Sequence, residues 1–547
     1  MSQNTPESRF PKMMELKTDV LRHCVSTDGD EESSFLPRDK LEELTTGDRV
    51  KKALNETGIS KEKLKDLLDF VAAGGARRVF LILVLMSSAT EEHLSKLETL
   101  KENGVKDDSL PLAFTTPATG ETCCGYPCES GADKELYSVF NDWSVTHREL
   151  FEKYQWCLTA PVFDGAKFRY QIHPRRILPY LTVATHPASN RFFGEVSRVE
   201  IHPAHIPAFK TNPTPETKGF AIAIKKVRAS EDSANAFDKE TEELQIYPSR
   251  YLIRPIAAYQ IDSDRYLMFP RADASSLRDY WASHDNHRQD PTHLKWIVDQ
   301  FAGICGALTI LHTDNCSHGN LSPENILWFK SDNDMGNLGI ADLGLTKFHE
   351  EEATTKQQNW DKIHTLTPPT TFRYSPPEMN ENRDDKKSQS RQYDVWSMGC
   401  TIVELLVWLV HGFESVEKFR NATKYFWTEL PESSASAQKY ALDSHVTLCL
   451  DAMEKSFSDG TAHKDLLSLV RTRLLVTPVS DNDISSSEYR EIACGLSTAM
   501  NEIQKRCRTE DSYLRPIDAP YPSPPDMEKA NAEWSKPSEM TTLRQST

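Results

Sequence analysis

Residues 318–327 read HGNLSPENIL, and the assignment of the rest of the chain hangs on them. The segment is polar from His318 to Asn325, carries Asn320, Glu324 and Asn325, and runs into the apolar Ile326-Leu327-Trp328-Phe329. A short hairpin is predicted between Ile326 and Ile340, returning the chain to ADLGL at 341–345 and so to Asp342. Alone, neither piece is a signal. An asparagine in such a loop commonly caps nearby backbone, and Asp-Leu-Gly is an ordinary turn. Their order and separation give them weight, so the flanking sequence has to agree.

Upstream, from Ile177, come short β-rich runs: ILPYLTVAT, FFGEVSRVEIH, GFAIAIKKV, AAYQI and RYLMF, separated by Pro, Asn and Asp, as in an antiparallel sheet. Beyond Pro270 the pattern is mostly helical, as in LKWIVDQFAGICGALTILHT and DVWSMGCTIVELLVWLV. A β-rich lobe therefore precedes an α-rich one. Nearer the N-terminus, Ser60 is a natural N-cap for a helix whose Leu64, Leu67, Leu68 and Val71 form one apolar stripe, ended by Gly74-Gly75. Another helix is expected through VFLILVLM, residues 79–86. The predicted organisation is a disordered acidic-patched N-terminus at 1–35, a helical region at 36–112, a linker at 113–135 and a connecting segment at 136–177. The two-lobed domain follows at 178–505, and a disordered Pro/Ser-rich tail at 516–547.

Composition narrows the function. Lys and Arg number 64 against 81 Asp and Glu, a net charge of −17 over 547 residues. Duplex nucleic-acid binders need the opposite sign to displace condensed counterions, so no nucleic-acid partner is expected. The 11 cysteines are an odd number and are scattered, which fits a reducing compartment. Cys123, Cys124 and Cys128 cluster but lack a fourth ligand at zinc spacing, and are read as loop cysteines. The N-terminus has no long apolar segment after a basic start, so a cytoplasmic protein is expected, with a nuclear location left open. The run at 79–86 is too short for a membrane span, which needs about 20 residues, and reads as core.

Taken in order, these segments resemble the signature set of a protein kinase, over roughly residues 178–505. AIAIKKV is similar to the strand bearing the nucleotide lysine, with Lys225 at that position. Glu240 in FDKETEEL stands where the family's helix glutamate pairs with it. HGNLSPENIL matches the catalytic loop, ADLGL the metal-binding turn, RYSPPE the box ending at Glu378, and YDVWSMGC the helix whose Asp394 braces the catalytic loop. The resemblance implies an α+β, two-lobed kinase-like fold with a helical N-terminal extension. It also implies ATP and Mg2+ as cofactors: Lys225 on the phosphates, Glu240 on Lys225, and Asn325 and Asp342 as hard oxygen ligands for the metal.

The departures bear on activity. Where the family has its catalytic aspartate this chain has Asn320, and an amide is no carboxylate base. The lysine expected two residues on is Ser322, and the arginine after His318 is Gly319. Loss of a general base alone costs about 10² to 10⁴ in rate, and a missing cation near the phosphate adds to that. The phosphate lid is worn as well. In SNRFFGEV, residues 189–196, Gly194 is the one family glycine retained, with Val196 positioned to lie over the adenine. Phe269 takes the gatekeeper position at the back of the pocket, with Pro270, Arg271 and Ala272 as hinge; the plainer reading is a buried strand phenylalanine before an exposed turn.

Two features are read without function. His202 and His205 lie in a long Pro-rich connection and are taken as solvated. The threonines between Asp342 and Glu378 (Thr354, Thr355, Thr365, Thr367, Thr370, Thr371) are candidate phosphorylation sites in a solvated loop. The wording LPYL, FGEVSRVEIHPAH, YLMFPRAD and SLRDYW is similar to kinase-like proteins of filamentous fungi, a group whose loop usually has Asp where this chain has Asn320. Three readings remain: a pseudokinase that holds Mg2+-ATP and signals through unidentified protein partners, an active Ser/Thr kinase with a substitute base such as Asp314, and a scaffold without nucleotide.

Overall fold

The computed structural model describes residues 9–115, 124–127, 137–184, 195–207, 219–227, 249–272, 276–314, 316–330, 335–341, 372–377, 392–430, 439–477 and 490–514. They fall into two units. One takes the described parts of Met1–Asn190 and Gly194–Arg228, and Ile256–Pro270; the other takes the described parts of Ala229–Pro255 and Arg271–Thr547. The tail at 516–547, Cys123 and Cys128 lie outside the described residues.

The helices of the first unit are α1 (Pro11–His23), α2 (Arg38–Leu44), α3 (Gly47–Asn55), α4 (Lys61–Ala72), α5 (Arg77–Met86), α6 (Lys96–Glu102) and α7 (Val145–Leu158). α4 starts where expected: Ser60 accepts a hydrogen bond from the Lys63 N–H, and Leu64, Leu67 and Val71 are buried. α5 buries Val79 to Met86 on every side, which makes it the centre of the helical core. The expected disorder at 1–35 is overturned for its described part, residues 9–35. α1 lies inside that span and buries Met13, Leu16 and Val20, a stripe at i, i+3 and i+7 set in an otherwise polar run.

Strands β1 (Val25–Thr27) and β2 (Asp30–Phe35) follow as an antiparallel hairpin. Its turn holds Asp28 at φ 49° and Gly29 at φ 83°. Two left-handed residues are what a two-residue turn needs to match the strand twist, so Asp-Gly here is a turn signal and not merely an acidic patch. The described parts of the expected linker, residues 113–115 and 124–127, are strand. β3 (Leu112–Thr115) pairs with β4 (Cys124–Pro127). The buried Gln155 of α7 accepts from the Leu112 N–H at 2.7 Å and donates to the Leu112 carbonyl at 2.8 Å, acting as a neighbouring strand would.

The principal sheet contains β5 (Arg169–Ile172), β6 (Tyr180–Ala184), β7 (Glu195–Ile201), β8 (Phe220–Val227), β9 (Ala257–Ile261) and β10 (Asp264–Pro270), in the order β5-β9-β10-β8-β7-β6. All neighbours are antiparallel except β5, which runs parallel to β9. β5 comes from the segment at 136–177, so the sheet begins before the boundary at 178. Val199, Ile201, Ile222, Ile224, Ala257, Tyr259 and Met268 pack together on one face.

The N-terminal extension is docked on this sheet. The Asp28 N–H donates to the Leu181 carbonyl at 3.1 Å, and the Thr27 hydroxyl to that of Tyr180 at 2.8 Å. The Val183 N–H donates to the Asp28 carboxylate at 3.0 Å. The hairpin turn thus covers backbone groups of β6, an edge strand. His205 is the second anchor, and its reading as solvated is corrected: it is 2% exposed. Its Nε2 accepts from the Arg38 N–H at 3.1 Å and its Nδ1–H donates to the Pro161 carbonyl at 2.8 Å, while Phe35 packs edge-on against the ring. Burial holds its pKa down at about 4.

The helices of the second unit are α8 (Leu277–Ser283), α9 (Pro291–Thr313), α10 (Gln392–His411), α11 (Phe413–Ala422), α12 (Ser444–Ser456), α13 (Ala462–Leu469) and α14 (Ala493–Thr509). Asp290 caps α9 by accepting from the Thr292 N–H at 2.8 Å, with Pro291 at the first helical position. By length and apolarity alone α9 and α10 could cross a bilayer. In the fold they are core helices: α10 is buried from Gln392 to Val410, and α9 buries Trp296, Phe301 and Leu308 in the same cluster. The expected hairpin is present as β11 (Ile326–Phe329) and β12 (Asn337–Ile340). A further pair, β13 (Trp427–Glu429) and β14 (Tyr440–Leu442), follows α11.

Candidate functional site

The register of the principal sheet gathers three of the candidate residues. Lys225 on β8 stands opposite Val196 on β7 and Leu267 on β10, and Ala223 stands opposite Phe269. Strand side chains alternate between faces, so Val196, Lys225 and Phe269 share the face opposite the apolar cluster that holds Ile222, Ile224 and Met268. Lys225 is 2% exposed, while Val196 and Phe269 are half-buried. Its neighbour Lys226 is on the other face and pairs with Asp264 at 2.6 Å. Gly194 and Glu240 lie outside the described residues. The chain passes from the first unit to the second between Pro270 and Arg271, within the expected hinge, and Ala272 follows.

In the second unit the loop at 318–325 is tied down by buried groups. Asp394, at the start of α10, is fully buried; it accepts from the His318 N–H at 2.7 Å and the Gly319 N–H at 2.7 Å. The His312 ring bonds the same carboxylate at 2.8 Å. Burial alone would raise the pKa of Asp394, but the His312 hydrogen bond and charge, the nearby charge of His318 and the Gly319 N–H outweigh it and hold the carboxyl below its ordinary value. Gly319 has φ 70°, a left-handed conformation that suits glycine and strains any side-chain-bearing residue.

His318 is fully buried and links this loop to the metal turn. Its Nδ1 accepts from the Asn320 N–H at 3.3 Å, which leaves Nε2–H to donate to the Ala341 carbonyl at 2.7 Å. The Ala341 N–H in turn donates to the Asn325 carbonyl at 2.8 Å. The backbone entering Asp342 is therefore fixed to the loop at two points, although Asp342 itself, like Glu378 and the activation-segment threonines, lies outside the described residues. Asn325 is buried, and its amide donates to the Asn320 carbonyl at 2.7 Å. That bond uses the nitrogen; of the side chain's polar atoms only Oδ1 has lone pairs for a metal. Ser322 is buried, with its carbonyl accepting from the Asn325 N–H at 3.0 Å. Asn320 is half-buried.

A charge network beside the loop is not visible in the sequence. Glu324 is bonded by Arg420 at 2.6 Å, and Arg420 also bonds Glu404 at 3.1 Å. Glu404, fully buried in α10, further accepts from Arg373 at 2.9 Å and the Tyr374 hydroxyl at 2.8 Å. The Glu324 carboxylate thus engages an arginine of its own chain. Glu324 and Arg420 are 96 residues apart in sequence, and no local pattern signals the pair.

The family profile described as protein kinase domain matches residues 214–472. The chain is similar to mitogen-activated protein kinase pmk-3 of Caenorhabditis elegans, 26% identical over 276 residues, which cover 47% of this chain and 54% of that protein. It is similar to serine/threonine-protein kinase nekl-2 of the same organism, 26% identical over 181 residues, 32% of this chain and 46% of that protein. It is also similar to serine/threonine-protein kinase RAD53 of Saccharomyces cerevisiae, 26% identical over 198 residues, 35% of this chain and 22% of that protein. The chain thus spans about half or less of the length of these curated relatives. With a strand-rich part bearing Lys225, a helix-rich part bearing the loop at 318–325 and the profile across both, the chain contains a protein kinase domain with its α+β fold.

Proposed function

We propose that this domain binds Mg2+-ATP and transfers the γ-phosphate weakly or not at all, signalling through proteins that it binds. One observation carries the reading. The loop at 318–325 keeps its support, with Asp394 holding His318 and Gly319, yet the residue held at position 320 is an amide. Phosphoryl transfer is mostly positioning and charge neutralisation. A supported loop without a basic oxygen therefore favours binding over turnover. An amide oxygen is too weak a base to take the acceptor hydroxyl's proton, and Glu324, the loop's own carboxylate, engages Arg420. Ser322 brings no charge to the position where the resemblance expects a lysine.

For the nucleotide, the shared sheet face of Val196, Lys225 and Phe269 supports a pocket in which Val196 and Phe269 contact the base and Lys225 grips phosphate oxygens. Glu240 would fix the lysine, Gly194 would let backbone approach the phosphates, and Ala272 would border the hinge. Mg2+, when bound, neutralises and bridges phosphate oxygens; Asn325 through Oδ1 and Asp342 through its carboxylate are the hard ligands we assign to it. The activity, substrates, partners and cytoplasmic location of the whole protein belong to the same proposal.

The test is a thermal shift with Mg2+-ATP beside a phosphotransfer assay on generic protein acceptors. Stabilisation by nucleotide with negligible label transfer supports the reading. Robust turnover that disappears in Asp342→Ala would instead make the chain an active Ser/Thr kinase, and the absence of saturable nucleotide binding would make it a scaffold.

A further inference from the structure

We propose that Glu91, His93 and His147 form a zinc site in the N-terminal helical region, apart from any nucleotide chemistry. Their ligand atoms lie within 4.8 Å of one another. Glu91 Oε1 is 3.3 Å from His147 Nε2 and 4.0 Å from His93 Nε2. Ligand atoms around a tetrahedral zinc ion stand roughly 3.3 Å apart, given metal–ligand bonds of about 2.0 Å. One edge of the set already has that length, and side-chain rotations that shorten the others by up to about 1.5 Å close them. Two imidazoles and a carboxylate are a three-residue donor set for zinc, leaving a fourth position for water.

The residues are held from different directions. After α5, the Ser88 N–H donates to the Glu91 carbonyl at 2.7 Å and the Glu91 N–H to the Ser88 hydroxyl at 3.0 Å, a closed turn that presents Glu91. The His93 N–H donates to the Ser87 hydroxyl at 2.9 Å. His147 sits in the first turn of α7, whose N-cap Ser144 accepts from the His147 N–H at 3.2 Å. The two imidazoles meet with centroids 4.6 Å apart, His93 buried at 3% exposure. Glu91 is exposed and His147 half-buried, so the site opens to solvent on the side where an ion enters. Lys96, with its ammonium 5.1 Å from the Trp143 ring, is a cation close by. A three-ligand site that tolerates it is weaker than a closed four-ligand one. Metal here would staple the loop after α5 to the start of α7, two segments separated in sequence by the β3–β4 stretch.

The test uses the full chain, tag-free and stripped by chelator, titrated with zinc chloride by calorimetry and with cobalt(II) by absorption. The expected result is one zinc per chain and the visible bands of tetrahedral cobalt without thiolate charge transfer. His147→Gln or Glu91→Gln should weaken binding about 10-fold to 100-fold and abolish a zinc-induced rise in melting temperature seen in the wild type. Because His93 is buried and its variants risk misfolding, the wild-type cobalt spectrum serves as its readout. Absence of one-to-one binding, thiolate charge-transfer bands that assign the metal to cysteines, or variants that bind like wild type would each overturn the site.

Discussion

Asn325 donates its side-chain amide to the backbone carbonyl of Asn320 across 2.7 Å, so the two residues read as metal ligand and degenerate catalytic position belong to one hydrogen-bonded loop. Truncating Asn325 to alanine removes the donor to a half-buried carbonyl. The expected cost is about 1 kcal/mol of stability, together with weaker Mg2+-ATP binding, checked by denaturant unfolding and by nucleotide titration.

Asp394 supports the same loop from below. Asp394→Asn keeps the shape but turns an acceptor oxygen into an NH2 group facing an N–H, at an expected cost of about 3 kcal/mol. The sign of the pH effect follows from a carboxyl whose folded pKa is depressed. Its stabilisation is present above the unfolded value of about 4 and is lost as pH falls through and below it. Unfolding curves between neutral pH and acid should show that acidic loss in the wild type and a shallower one in Asp394→Asn.

Restoring an arginine after His318 should not repair the loop. Gly319 sits at φ 70°, so Gly319→Arg or Gly319→Ala pays backbone strain of about 1–2 kcal/mol. Melting temperatures of the two variants should fall together. An alanine variant as stable as wild type would show that the conformation is not required.

His205 makes the docking of the N-terminal extension sensitive to pH. Burial lowers its folded pKa from 6.5 to about 4, so the neutral form is favoured in the folded state. Its contribution is complete above pH 6.5 and is lost as pH falls towards about 4, by roughly 3 kcal/mol in all. Hydrogen-exchange protection factors at residues 36–41, which remove the intrinsic pH dependence of amide exchange, should fall over that interval as pH is lowered. In His205→Phe, which cannot bond Arg38 or Pro161, protection factors there should be low throughout and nearly independent of pH.

Local pattern made part of this fold legible. The cap and stripe of α4, the buried run of α5, the strands from β6 to β10 and the hairpin of β11 and β12 follow from residue spacing alone. α1 is hard to see in sequence because its three apolar residues at helical spacing sit in an otherwise polar segment, and the Asp28-Gly29 turn because it lies at the edge of an acidic run whose charge also fits disorder. β5 could not be found locally, since its partner β9 lies some 90 residues on in the chain. The same limit applies to the site. The order of Lys225, Asn320, Asn325 and Asp342 can be read from sequence, and so can the bracing Asp394. The burial of His205 depends on Arg38 and Pro161, and the capture of Glu324 on Arg420, contacts that exist only once distant segments pack.

The most direct measurement is γ-phosphate transfer by the purified chain beside Asn320→Asp, with Mg2+-ATP affinity measured on both. The account predicts similar affinity, negligible transfer in the wild type and a gain of about 10² or more in the variant. Efficient transfer by the wild type, unchanged by Asn320→Asp and abolished by Asp342→Ala, would contradict it.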